Sequence, residues 1–310
     1  MIKRRQIGVA VVALAASMWG LDALFRRPLA HSTGTATIVF GEHVVLVLVM
    51  LPFLVPTLRA VLRLGWRYIA AAVAIGAGAS AVATILFTQA FVDGDPVTPV
   101  VIQKVQPVVA VLGAWIILGE RPRRRFGWFV LAALGGTWLM AFPHPTNLNA
   151  HGALVPSLYA LAAAVLWALG TVLGRYLSRV MAYEHVTTVR FAFGLPAAAI
   201  AVVVLGQPVH ASAHDSLWIA LLALVTGAFA LTLYYWGLAR TPATTAALAE
   251  LAFPITAVIV GYVAFGAALT GTQWLGVALT SAVVLLLPAR KTATAVAVPE
   301  QRHTPALAPG

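Results

Sequence analysis

The chain of 310 residues has no cysteine and very little charge. Without cysteine it has no disulfides, no thiol redox chemistry and no thiolate metal site. Only 9% of its residues are charged, whereas about a quarter are charged in an average soluble domain. Acidic residues are the scarcer kind, with Asp and Glu totalling 9 against 20 Lys and Arg. A soluble globular domain is therefore excluded.

The short motifs of several enzyme classes are also missing. The sequence has no GxxxxGK[ST] phosphate loop, no HExxH zinc motif and no GxSxG nucleophile motif. The net charge of +11 is not a nucleic-acid signal, because no basic stripe lies on a soluble module. We therefore predict that the protein is not an enzyme and has no catalytic residue, no metal site, no cofactor and no nucleic-acid partner. The same absences argue against ATP-driven pumping by this chain alone.

Apolar segments dominate what is present. Hydrophobic residues make up 61% of the chain, and the mean hydropathy is +0.92. Runs long enough to cross a bilayer recur along the whole sequence. The predicted spans are residues 7–25, 34–58, 67–91, 97–118, 125–142, 153–174, 185–205, 216–238, 243–265 and 272–289. The sequence thus predicts an all-α integral membrane protein with ten transmembrane helices in a lipid bilayer.

Lys and Arg outside these spans are distributed unevenly between the two sides of the membrane. If the N-terminus is cytoplasmic, that side receives nearly all of them, and the opposite side has only Arg26 and Arg27. This bias predicts cytoplasmic N- and C-termini in a bacterial inner membrane. Arg67 and Arg125 stand at the first residues of their spans and are counted with the cytoplasmic side, and two further basic residues, Lys104 and Arg190, fall inside predicted spans.

The second half of the chain repeats features of the first about 147 positions later. The matched pairs include Pro107 and Pro254, Gly119 and Gly266, Gln103 and Glu250, Trp19 and Trp167, and His43 and Arg190. Each half then holds five helices, and because five is odd, the second half is inverted relative to the first. We assign residues 1–145 and 146–289 to the two repeats, and 290–310 to a disordered cytoplasmic tail. One complete pair of halves makes a monomer sufficient.

These residues also carry a family resemblance. Trp19-Gly20, Arg190-Phe191, the stretch from Pro107 to Gly119-Glu120 and its counterpart from Pro254 to Gly266 resemble the drug/metabolite transporter (DMT) superfamily. The likeness is closer to its ten-helix, duplicated EamA-type exporters, and within them to the YddG-like amino-acid exporter branch. The resemblance implies a basket of helices 1 to 4 and 6 to 9 around a central cavity, with helices 5 and 10 outside. It also implies export of amino acids or related metabolites by alternating access.

Polar and aromatic residues inside the spans form the candidate binding site, because ionisable groups in a bilayer need partners or water. Lys104 is predicted to hold a substrate carboxylate, Glu250 or Glu42 an amine, and aromatic rings an apolar or aromatic side chain. The predicted substrate-binding residues are Lys104, Gln103, Glu250, Glu42, His43, Trp19, Trp167, Tyr234 and Trp236. Pro107 and Pro254 each free a carbonyl one turn earlier, and we predict that both are hinges.

Other interpretations of the same residues stay open. Lys104 also suits a structural pair with Glu250 or Glu42, and Asp22 suits an i, i+4 pair with Arg26. The expected partner is a small-molecule substrate. An exporter of lipophilic cations would instead use the carboxylates and the aromatic rings through cation–π contacts. A membrane-embedded enzyme and a channel are the remaining function classes.

Overall fold

The computed structural model describes residues 2–29, 32–93, 102–122, 126–141, 154–266 and 268–286, and in these ranges it has helices and turns but no β-strand. Six helices are apolar and long enough to cross a membrane: α1 Gln6–Arg26, α3 Trp66–Ala90, α6 Leu154–Leu177, α7 Tyr183–Val204, α8 Ala213–Leu238 and α9 Ala243–Phe265. A bent pair, Thr35–Val49 and Leu51–Leu64, forms α2. Three shorter apolar helices complete the set: α4 Gln106–Leu118, α5 Phe126–Met140 and α10 Gly271–Leu286. The prediction of an all-α membrane fold is confirmed.

The bend in α2 was not foreseen by the prediction of one span over 34–58. The two arms of α2 meet at 89° on either side of Met50. Pro52 stands in the first turn of the second arm, where its missing N–H costs nothing, whereas in a continuous helix its ring would clash with the preceding turn. The chain therefore ends one helix at Val49 and starts another at Leu51.

Helix packing repeats when the two halves are exchanged. α1 packs against α8 and α9, and α6 packs against α3 and α4. Likewise, α2 contacts α8 and α7 contacts α3. In addition, three helices pack against their own counterparts in the other half, in the pairs α2–α7, α4–α9 and α5–α10. The α5–α10 pair packs mainly on itself, as the resemblance implies for two helices outside the basket. The predicted boundary at 145/146 and the tail 290–310 lie outside the described residues.

Local backbone features also occur in matched positions. α3 contains a π-helical segment over Ala74–Val82, and α8 contains one over Ala223–Phe229. Gly119 and Gly266, at φ 69° and 66°, end α4 and α9 in the left-handed conformation that favours glycine. The two halves thus match in these local backbone features, the π-helical segments and the left-handed glycines, as well as in helix order.

Candidate functional site

A partly buried carboxylate lies where α4, α6, α8 and α9 meet. The Glu250 Oε1 atom accepts hydrogen bonds from the Tyr234 hydroxyl at 2.6 Å and from the Thr171 hydroxyl at 3.0 Å. The Oε2 atom accepts one from the Gln106 side-chain amide at 3.1 Å. Each of these donors is neutral, so the network satisfies the lone pairs of the carboxylate without cancelling its charge.

The backbone around Pro254 places Glu250 in a break of α9. The helix runs from Ala243 to Ala249 and resumes at Ala252. The Glu250 carbonyl, which has no N–H donor at Pro254, accepts the N–H of Phe253 in a tight turn at 3.0 Å. In the first half, the N–H of Gln106 donates to the Gln103 carbonyl in the same way, one residue before Pro107. The proposed hinge role of both prolines stays a prediction.

Two aromatic pairs flank this break in symmetric positions. Trp19 of α1 lies 5.0 Å from Tyr234 of α8 between ring centroids, and Trp167 of α6 lies 4.9 Å from Phe87 of α3. Tyr234 and Phe87 are themselves repeat counterparts. The Trp19 indole N–H donates to the Thr226 carbonyl, in the π-helical segment of α8, at 3.1 Å. Both tryptophan residues are partly buried.

Arg190 of α7 reaches into the same region and has no carboxylate within salt-bridge distance among the described residues. Its Nη1 donates to the Tyr235 hydroxyl at 3.2 Å, and its Nη2 donates to the Ala79 carbonyl at 3.0 Å. The buried Nε atom has no hydrogen-bond partner in the described part of the chain. A guanidinium is thus held by neutral acceptors alone.

The second predicted carboxylate, Glu42, lies in a separate ion-pair cluster. Arg26 contacts Asp22 at 2.6 Å and Glu42 at 3.0 Å. The Asp22–Arg26 contact is the i, i+4 pair that the sequence indicated. Since Glu42 already has a cationic partner, we do not include it in the site proposed below.

His43 joins three helices. Its Nδ1 lies 2.7 Å from the Val39 carbonyl, and its Nε2 lies 3.0 Å from the Ser80 hydroxyl. A carbonyl only accepts, so Nδ1 carries the hydrogen and Nε2 accepts from Ser80. The imidazole is buried, at 3% exposure, and a Cβ on Gly194 would collide with it. Both nitrogens are occupied, which favours the interpretation of His43 as a packed structural side chain.

The remaining predicted residues lie at the end of α8 or in the turn before α4. Trp236, two residues after Tyr234 and near the end of α8, carries the Arg240 guanidinium over its ring at 3.8 Å. Gln103 occupies the short 3₁₀ turn Gln103–Val105 before α4. Lys104 lies in the same turn, but its side chain is outside the described residues, so its predicted contact with a carboxylate stays a prediction.

Two residues of the network were absent from the predicted site. Gln106 follows the 3₁₀ turn Gln103–Val105, whose tighter winding shifts side-chain directions relative to a regular helix. Thr171 lies four residues after Trp167, one turn along the same face of α6. That spacing was the available signal for Thr171.

In the described ranges, no group of three or more His, Asp or Glu side chains is placed to hold a metal ion. Glu250, Gln106, Trp19, Trp167 and Arg190 converge from five helices and are still partly exposed. They bring a negative group, a positive group and aromatic faces to one region of the helix bundle.

Known proteins similar to this chain are membrane transporters or share its fold. The sequence profile of the EamA-like transporter family matches the chain twice, over residues 6–142 and 155–288. The riboflavin transporter ImpX of Fusobacterium nucleatum is 29% identical over 292 residues, which cover 90% of this chain and 95% of that protein. The uncharacterized transporter YwfM of Bacillus subtilis is 29% identical over 222 residues, 69% of this chain and 72% of that protein. A solved crystal structure shares the fold, with a TM-score of 0.70 and 20% identity over 90% of this chain and 95% of that one.

Proposed function

Because this chain belongs to the EamA-like transporter family, within the DMT superfamily, and is a multi-pass membrane transporter, we propose that it exports neutral amino acids with aromatic side chains. Transport would proceed by alternating access across the bacterial inner membrane, with both termini in the cytoplasm. The YddG-like branch of amino-acid exporters stays a prediction.

One observation carries this proposal: the Glu250 carboxylate is joined through Tyr234 to the aromatic pair Trp19–Tyr234. An ammonium group leaving water needs a negative partner, and Glu250 supplies one whose hydrogen-bond donors are all neutral. An aromatic side chain gains contact area against the Trp19 and Trp167 rings, in offset or edge-to-face arrangements. Gln106 and Thr171 would bind polar groups of the substrate between these two parts.

A second candidate substrate is a flavin, which the similarity to ImpX favours, because the alignment covers nearly all of that riboflavin transporter. A planar flavin ring also suits the aromatic pairs, and its hydroxyl groups suit Gln106 and Thr171. A lipophilic cation fits less well, because Arg190 would place a positive charge beside it.

Counterflow in proteoliposomes separates these candidates. Vesicles containing the purified protein are loaded with one unlabelled solute, and uptake of labelled phenylalanine or labelled riboflavin is followed. We expect saturable exchange of labelled phenylalanine for unlabelled phenylalanine, tyrosine and tryptophan, with little stimulation by lysine or glutamate. Exchange of riboflavin with none of phenylalanine would overturn the amino-acid proposal. Flux that does not saturate would indicate a channel.

A further inference from the structure

We propose that Arg190 binds the carboxylate of the substrate and that the adjacent residues Tyr234 and Tyr235 set the distance between the two charged ends of the site. This inference rests on the proposed amino-acid transport for its natural substrate. It assigns a role to a basic residue that is not among the substrate-binding residues predicted from the sequence.

Arg190 lacks a counter-ion within the described ranges. A buried guanidinium without a carboxylate is costly, because transfer of a charge out of water is repaid only by an opposite charge and by hydrogen bonds. Two other arginines that lie between the helices, Arg26 and Arg175, do have carboxylate partners. Arg26 has Asp22 and Glu42, and Arg175 has Glu120 at 3.6 Å. The described partners of Arg190 are a phenol and a backbone carbonyl.

The same guanidinium has unused binding capacity. Its five N–H donors form a planar fork that matches the two oxygens of a carboxylate. The described contacts of Arg190 use one hydrogen on Nη1 and one on Nη2, and its side chain is partly exposed. A substrate carboxylate that reaches Arg190 would therefore find free N–H donors on a guanidinium that has no ion-pair partner in the described part of the chain.

Glu250 and Arg190 are kept apart, and they form no ion pair in the described part of the chain, although the positive charge of Arg190 acts on Glu250 electrostatically. Consecutive residues of α8 lie between them, since Tyr234 donates to Glu250 and Tyr235 accepts from Arg190. The two phenol rings are 5.3 Å apart between centroids. A carboxylate and a guanidinium that do not pair with each other can each bind the opposite charge of a zwitterion, which sets the orientation of that zwitterion.

The two halves differ at this position. The counterpart of Arg190 is His43, whose two ring nitrogens both have neutral partners. The Ala79 carbonyl accepts a hydrogen bond from Arg190. The counterpart of Ala79 is Thr226, whose carbonyl accepts instead from Trp19. Of the matched pair Arg190 and His43, only Arg190 thus places a cation against a π-helical segment, which is Ala74–Val82 of α3. A purely structural anchor would be needed equally in both halves.

The test compares ligands that differ at one end. The probes are phenylalanine, phenylalaninamide, which replaces the carboxylate by a neutral amide, and 3-phenylpropionate, which keeps the carboxylate but lacks the ammonium. For wild type we expect phenylalanine to compete with labelled phenylalanine at least tenfold better than phenylalaninamide does. In Arg190→Gln the ratio of competition by phenylalanine to competition by phenylalaninamide should fall to near one, and Arg190→Lys should restore part of that ratio. Arg179→Gln is the control, because it removes the same charge from an exposed side chain outside the site.

Direct binding of 3-phenylpropionate to the purified protein, measured by calorimetry, separates this inference from the proposed function. If wild type exchanges no amino acid but binds 3-phenylpropionate, and Arg190→Gln abolishes that binding, the carboxylate site stands and the amino-acid proposal fails. An unchanged competition ratio in folded Arg190→Gln overturns the role of Arg190. That role is also overturned if Lys104→Ala, rather than Arg190→Gln, collapses the ratio.

Discussion

Replacing Glu250 by glutamine removes one charge from the site and leaves its shape almost unchanged. The new Oε1 atom still accepts from Tyr234 and Thr171, which lie 2.6 and 3.0 Å from the present oxygen. The new amide nitrogen faces the Gln106 amide, which lies at 3.1 Å from the present Oε2 and can rotate to offer its oxygen. The number of hydrogen bonds is therefore kept, and only the attraction to a substrate ammonium is lost.

The size of that loss can be estimated. A hydrogen bond to a charged group contributes about 1.5 to 3 kcal/mol, and because about 1.4 kcal/mol is a factor of ten, the KM for phenylalanine should rise roughly 10- to 150-fold. A neutral flavin makes no ion pair with Glu250, so its KM should change less than about threefold. The assay is counterflow with both labelled solutes at graded concentrations.

Folding is controlled by thermal unfolding in detergent and by Glu184→Gln, which neutralises a carboxylate in the first turn of α7. A wild-type KM for phenylalanine in well-folded Glu250→Gln would refute the assignment of the ammonium to Glu250. Equal losses for phenylalanine and riboflavin would show that the carboxylate shapes the site rather than pairing with charge.

Two further predictions concern the surroundings of the site. Tyr234→Phe keeps the ring against Trp19 but removes its hydroxyl from Glu250 and Thr171, so thermal unfolding should show a loss of about 0.6 to 2 kcal/mol. Unchanged stability would mean that the Tyr234 hydroxyl contributes nothing to the buried network. Gly276→Ala should destabilise the α5–α10 contact by about 1 to 3 kcal/mol, because its Cβ would lie 2.6 Å from the Gly136 carbonyl oxygen. Gly271→Ala, whose Cβ meets nothing within 4 Å, is the matched control.

The sequence was sufficient to predict most of the helices because a run of apolar residues long enough to cross a bilayer is visible without any tertiary information. It also placed Trp19 and Trp167 in equivalent positions, since a shift of 148 residues aligns them. The bend of α2 was missed, although Pro52 was a visible signal. The predicted site included Glu250 and Tyr234, but their mutual contact depends on how α8 and α9 pack, which no spacing along one chain encodes. The pairing of Arg26 with Glu42 was missed for the same reason.

The two halves share a backbone but not a set of charges. Glu250, Arg190 and Tyr234 all belong to the second half, whereas their first-half counterparts, Gln103, His43 and Phe87, are an amide, an imidazole and a plain ring. If the halves exchange shapes as the carrier opens from one side to the other, a bound zwitterion keeps the same charged contacts in both states. A zwitterion paired with Glu250 and Arg190 would then keep its charged contacts on the second half throughout the cycle, while Trp19 and Gln106 of the first half move relative to it.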